Sequence, residues 1–166
     1  MLDDKVLRTP GRQPLELPNE LMAVMVALEW DAQVNKRTGI QPATMPLTVI
    51  AFTAIDTVLP DNSDAVATCL RFLPTDSALF LTSAEDRLLL KKQRQYLVPV
   101  VKWFNKTFQL DVKCTESFTS KISHPEGTIK KVEKIIRSMN HFELACLQSA
   151  TMECKSIVLA LAMLCR

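Results

Sequence analysis

The sequence predicts a mostly α fold: a multi-helix bundle with a small N-terminal β-hairpin, the remnant of a larger β domain. Three observations predict it. Only 3 of the 166 residues are glycine, while Ala, Leu, Met, Lys and Glu, all good helix formers, recur along most of the chain. Apolar residues repeat at i, i+3, i+4 and i+7 in one segment after another, which is the period of a single helical face. Strict alternation, the mark of a half-buried strand, is confined to 14–17 and 110–114. With 48% apolar and 23% charged residues, the chain has the composition and size of one globular domain with its own core. The expected division is 1–18, a hairpin ending a truncated N-terminal β domain, and 19–166, the helical domain.

Residues 5–17 supply the hairpin: Val6-Leu7, the turn signal Thr9-Pro10-Gly11-Arg12, then the alternating Pro14-Leu15-Glu16-Leu17. An isolated hairpin is marginal in water, so it has to pack on something. Pro18-Asn19-Glu20 opens the first helix, with Asn19 as N-cap and Glu20 favourable in the first turn. Leu21, Val24, Met25 and Leu28 define one face, and Met22, Val26 and Ala27 make the other faces apolar, so this helix is expected to be largely covered. Glu29 and Trp30 stand at its polar end. Thr44-Met45-Pro46 starts the second helix, Pro46 lying where a missing N–H costs nothing. Its stripe is Leu47, Ile50, Ala51, Ala54, Ile55 and Val58, and Pro60-Asp61-Asn62-Ser63 ends it.

A third helix is expected from about Asp64 to Leu73, halted by Pro74. Asp76 follows, placed to cap or brace residues 78–81. From Asp86 to Phe108 the pattern is helical, with Pro99 kinking or restarting it and Trp103 and Phe104 one turn beyond. Leu110 to Cys114 alternates as a short strand would, and 115–124 is a polar loop. Ser123-His124-Pro125-Glu126 has the spacing of a capping box. The helix after it carries Ile129, Val132, Ile135, Ile136 and Met139 on one face, and Glu133 and Arg137 are one turn apart in the favourable order. Residues 142–150 and 151–164 form a helical pair or one bent helix. Ile157 to Leu164 is apolar on every side and is expected at the centre of the bundle.

Several function classes are excluded. The net charge of +2 is too small to nominate a nucleic-acid partner, and the basic clusters at 87–94 and 130–137 are interleaved with apolar residues as solvated helix faces are. Five scattered cysteines without a Cys-x-x-Cys pair point to free thiols in a reducing compartment. With His124 and His141 the only histidines, no metal spacing exists, and no cofactor is implied. The longest apolar run, Ile157 to Cys165, is about half a membrane span, so no membrane insertion is expected. Met1-Leu2-Asp3-Asp4 is neither a secretory signal nor a transit peptide.

No catalytic constellation stands out. Asp56 and Asp76 could form a carboxylate pair, yet both follow helix-end or loop signals, where capping is the stronger reading. Cysteine–histidine catalysis is disfavoured, because His141 and Cys146 lie more than one turn apart on the same helix. Trp30 and Trp103, each at the edge of an apolar helix, are core anchors or, if exposed, hot spots for a protein partner.

The block Leu17-Pro18, Glu29-Trp30-Asp31-Ala32-Gln33, Met45-Pro46-Leu47-Thr48 and Ile55-Asp56 resembles the mitochondrial and bacterial assembly chaperones of the F-type ATP synthase alpha subunit. The likeness continues in register. Leu2-Asp3 to Thr9-Pro10 is similar to the family's first hairpin, and Phe72-Leu73-Pro74-Thr75-Asp76 to its Leu-x-Thr-Asp stretch. Gln93, Pro99 and Trp103 follow, and Phe142-Glu143-Leu144 through Ser156-Ile157 to Ala162 resembles its closing helices. The chain departs from the family pattern at Val49, Phe52, Leu97-Val98 and Lys155, and lacks its Glu-rich helix after Arg166.

The resemblance implies a non-enzymatic, monomeric chaperone of the mitochondrial matrix. It would bind unassembled ATP synthase alpha subunit and promote assembly of the catalytic head. The candidate client-binding or signature residues are Glu29, Trp30, Phe52, Asp56, Asp76 and Trp103. Two alternatives stay open: a divergent helical protein-binding module with another client, and a small hydrolase using Asp56, Asp76 and a cysteine.

Overall fold

The computed structural model describes residues 5–33, 39–83, 85–116 and 121–165. Seven α-helices run in the order α1 (Glu20–Asp31), α2 (Pro46–Thr53), α3 (Ser63–Phe72), α4 (Arg87–Phe108), α5 (Glu126–Arg137), α6 (His141–Cys154) and α7 (Ile157–Leu164). The core gathers where α3, α5, α6 and α7 meet the C-terminal half of α4. Val66, Cys69, Leu73, Phe104, Val132, Ile136, Leu144, Leu147, Ile157 and Leu161 are all nearly or fully buried there. Phe104 sits edge-on to Phe108, which in turn meets Trp103 in a T-shaped contact, the geometry that ring quadrupoles favour.

The N-terminal hairpin is not formed. Residues 5–17 contain an isolated antiparallel bridge, Arg8 to Pro14, flanked by hydrogen bonds from Thr9 N to Gln13 O and from Leu15 N to Leu7 O. No strand is present among the described residues. Just past the bridge the second arm turns back on itself, Glu16 N donating to Pro14 O, a bond local to that arm and not part of a ladder. Leu2 and Asp3, the first residues of the resemblance, lie outside the described residues. The expected strand at 110–114 is also absent. That segment is extended and clamped by Asn105, whose amide donates to Val112 O and accepts from Val112 N, and it ends in a single parallel bridge between Phe80 and Thr115.

Helix starts follow local chemistry. Asn19 and Asp86 cap α1 and α4 by accepting from Met22 N and Leu89 N. Pro99 lies inside α4, which continues through it as one helix with the proline exposed. The capping box expected at Ser123 and Glu126 is not made, because Pro125 occupies the N-cap and no side chain bonds there. A capping box forms instead at α6, between Asn140 and Glu143. The last two helices are a pair: Lys155 turns the chain in the left-handed region (φ 53°) and Ser156 caps α7. The first half of α7 is central as expected, whereas Met163 and Leu164 are exposed.

The first helix departs most from expectation. Of its residues only Val26 is buried, and Leu21, Val24, Met25 and Leu28 are exposed. Periodicity placed these four on one face correctly, but α1 lies at the rim beside α2, and its opposite side does the packing.

Asp76 joins the two ends of the bundle. Fully buried, it accepts from the Ser156 hydroxyl, from Val158 N at 3.0 Å and from Ala78 N at 2.9 Å. Burial pushes its carboxyl above the ordinary range, against the pull of those donors. Removing it leaves buried donors unpaired, so Asp76→Ala is expected to cost about 3 kcal/mol in urea unfolding. A carboxyl raised in the fold gives most stability below its unfolded pKa and loses it as pH rises through the folded value. The stability gap between wild type and Asp76→Asn should therefore narrow from acid toward neutral pH, and a gap that widens would contradict this assignment.

Candidate functional site

The signature block assembles around the second helix. Glu29, at the end of α1, spreads its carboxylate over the N-terminus of α2: Oε1 accepts from Leu47 N at 2.8 Å, and Oε2 from Thr48 N at 2.8 Å and the Thr48 hydroxyl at 2.7 Å. Pro46 at the first turn leaves those next two N–H groups as the open ones, and a carboxylate is the acceptor the helix dipole favours. Gln33 completes the joint, donating to Glu29 O and the Thr44 hydroxyl and accepting from Gln41 N. Glu29 thus holds Leu47 and Thr48 while Gln33 holds Gln41 and Thr44, so the end of α1 is fastened at two points.

Beyond Thr53 the second helix widens into a π-turn, Ala54–Val58. Such a turn re-aims its side chains, and Asp56 reaches the N-terminal segment. Its carboxylate accepts from the Thr9 hydroxyl and from Gly11 N at 2.8 Å. A Cβ on Gly11 would stand 2.6 Å from Asp56 Oδ1, so glycine is required here by close approach. Asp56 and Asp76 thus serve two separate joints, with both oxygens of each engaged.

Two surfaces flank this frame. Between residues 6–17 and α1 runs a groove of about 400 Å³, lined by Val6, Leu7, Leu15, Val26, Ala27 and Trp30 among others. Trp30 is half-buried, and its indole N–H is buried without a hydrogen-bond partner. Beside the groove, on the outer face of α1, Leu21 is 70% and Leu28 61% exposed, with Val24 and Met25 between them. A second cavity of about 590 Å³ lies under the same N-terminal turn, between Gly11, Leu17, Ile55, Leu59, His141 and Phe142. The remaining candidates lie apart from α1 in character: Phe52 is half-buried on α2, and Trp103 is half-buried against the core cluster. Val49, where the chain departs from the resemblance, is exposed.

Among the described residues no group of His, Cys, Asp and Glu could hold a metal ion. Burial pushes the Cys69 thiol up to about 11, far from a nucleophilic thiolate. The exposed apolar face of α1 was legible as a face in the sequence. Its exposure was not, since periodicity does not say what lies opposite.

Residues 1–105 match the sequence model of the family described as ATP12 chaperone protein. The chain belongs to the ATP12 chaperone family. Among curated proteins, ATP12 of Schizosaccharomyces pombe, named there as mitochondrial, is 26% identical over 98% of this chain. The chain spans 58% of that relative's length. Among solved structures, Atp12 from Paracoccus denitrificans superposes with a TM-score of 0.84 at 29% identity, covering 98% of this chain and 68% of that one. A protein of Agrobacterium tumefaciens reaches 0.85 at 28%, covering 98% and 59%. The Paracoccus Atp12 structure therefore shares the helical architecture described above.

The close packing of Gly11 on Asp56 can be measured as a coupling. Gly11→Ala is expected to cost about 2 kcal/mol of unfolding free energy, and Asp56→Ala a similar amount. In the double variant the second substitution should add little, because both act on one contact. Full additivity in chemical denaturation would show that they do not.

Proposed function

We propose that this chain is a non-enzymatic assembly chaperone that binds unassembled ATP synthase alpha subunit and promotes formation of the catalytic head of the F-type enzyme. The observation carrying this reading is the exposed stripe Leu21, Val24, Met25 and Leu28. Large apolar residues at i, i+3, i+4 and i+7 on one exposed face are unusual in a folded monomer unless they meet a partner. An unassembled subunit exposes apolar interface that aggregates, and a complementary apolar face can cover it until the final partner arrives. In this reading Trp30 lies behind the contact, with Phe52 and Trp103 as supports or secondary anchors. The chaperone works as a monomer in the mitochondrial matrix.

The stripe is held out by the joints described above. Glu29 fixes the angle of α1 to α2, and Asp56 fixes the N-terminal segment that walls the groove, so the contact face is preorganised and loses little entropy on binding. No bond is made or broken in this mechanism. The hydrolase alternative would need Asp56 or Asp76 free to exchange protons, and both are occupied by structural donors.

Light scattering of refolding alpha subunit tests the reading. The wild-type chain should suppress aggregation and co-elute with the subunit. Leu21→Ser/Leu28→Ser should weaken suppression roughly tenfold while leaving the thermal midpoint unchanged, given the apolar area those two side chains would bury. Equal suppression by the variant would move the contact elsewhere. Absence of suppression by the wild type would favour another client.

A further inference from the structure

The fourth helix carries a feature that client binding through α1 does not use. Arg87, Lys91, Lys92, Arg94, Lys102 and Lys106 all lie in α4 and all are exposed. The chain has 20 Lys and Arg against 18 Asp and Glu; six of the 20 and none of the 18 fall within α4, which leaves 14 cations against 18 carboxylates elsewhere. The basic excess of the protein is therefore concentrated on one helix. Of these six α4 cations only Arg94 has a carboxylate partner among the described residues, Glu116 at 3.2 Å, and both side chains of that pair are largely exposed, so the pair is weak and exchangeable.

Apolar side chains stand among these cations where solvent would ordinarily face polar ones. Leu88 is 68% and Tyr96 64% exposed, and Leu89 is exposed as well. Residues 88, 92 and 96 follow one another at i+4 spacing, so Lys92 lies between Leu88 and Tyr96 on a single ridge, with Arg87 and Lys91 on the next. Within the first three turns, through Val98, only Leu90 is buried; the core contacts Val101 and Phe104 come after Pro99. The N-terminal half of α4 is thus a convex, cationic and partly apolar rod.

From this geometry we propose that the N-terminal half of α4 docks peripherally on a bilayer surface bearing anionic lipid headgroups. Charge complementarity requires an anionic occupant, and the shape selects which kind. An acidic peptide would be gripped in a cleft walled by two elements, but the depression among these cations is lined by Arg87, Leu90, Lys91 and Arg94, all from α4 itself. A planar anionic interface suits a convex helix: the cations lie at headgroup level, while Leu88 and Leu89 reach the acyl boundary and Tyr96 takes the interfacial position aromatic residues prefer. Docking is superficial, since no described helix is long and apolar enough to cross a bilayer.

Vesicle flotation of the full chain tests this. Phosphatidylcholine vesicles containing phosphatidylglycerol should carry the protein upward, pure phosphatidylcholine vesicles should not, and added salt should release it. Lys91→Gln/Lys92→Gln should lower the partition coefficient roughly thirtyfold, at about one kilocalorie per cation, and Leu88→Ser/Leu89→Ser should also reduce it. Leu21→Ser/Leu28→Ser, which alters the α1 stripe, should float like wild type, so this result stands or falls separately from client binding. All the substituted residues are exposed, and unchanged thermal midpoints verify the fold. Equal flotation on both vesicle types, loss of flotation only in the α1 variant, or capture by soluble polyglutamate without flotation would each overturn the proposal.

Discussion

A helix leaves its first N–H groups without partners, and this fold is held together largely by which side chains close them. Glu29 closes the start of α2 from the end of α1, and Asp76 closes the start of α7 across 82 positions of sequence. Asp56 does the same for the Gly11 N–H of a turn rather than a helix. Each bond joins elements distant in the chain at a point where a backbone donor would otherwise be buried or frayed. Side-chain amides extend the pattern, with Asn105 gripping Val112 and Gln93 accepting from Thr82 N. In a protein without a sheet among its described residues, these contacts supply the long-range backbone registration that strand ladders provide elsewhere.

This division of labour recasts the signature residues. Glu29, Asp56 and Asp76 are carboxyl residues of the signature, the residue type in which a functional group is usually suspected. Their oxygens are filled by backbone N–H and hydroxyl donors from their own chain. Their role is to fix where α1 and the N-terminal turn stand; under the proposed function, contact with a client falls to the apolar side chains of α1. The two exposed faces differ in kind: uncharged Leu, Val and Met on α1, and leucines embedded among cations on α4.

The helices were legible because 3.6-residue periodicity is a local property: the α5 stripe, the Asn19 cap and the Glu133–Arg137 pair at 2.8 Å could all be read from spacing. What spacing could not supply was the other side of each contact. It grouped Leu21 with Leu28 but not the fact that α1 lies at the rim. It marked 5–17 as a hairpin but did not show that Glu16 N turns back onto Pro14 O just past the Arg8–Pro14 bridge. It offered Ser123 as a cap where Pro125 takes the position, and the π-turn at 54–58, which aims Asp56, leaves no trace in a hydrophobic pattern that continues smoothly through it.

The bonds of Glu29 and Gln33 have a consequence for how this chain can vary. Gln33 ties the last residues of α1 to Gln41 and Thr44, and Glu29 ties them to Leu47 and Thr48. The end of α1 is thus held to the start of α2 by side-chain bonds that span 18 and 19 positions of sequence. Lengthening a closed loop costs only slowly growing entropy when its ends are already held. Added length between the anchors at Gln33 and Gln41 is therefore expected to leave the outward face of α1 where Glu29 holds it.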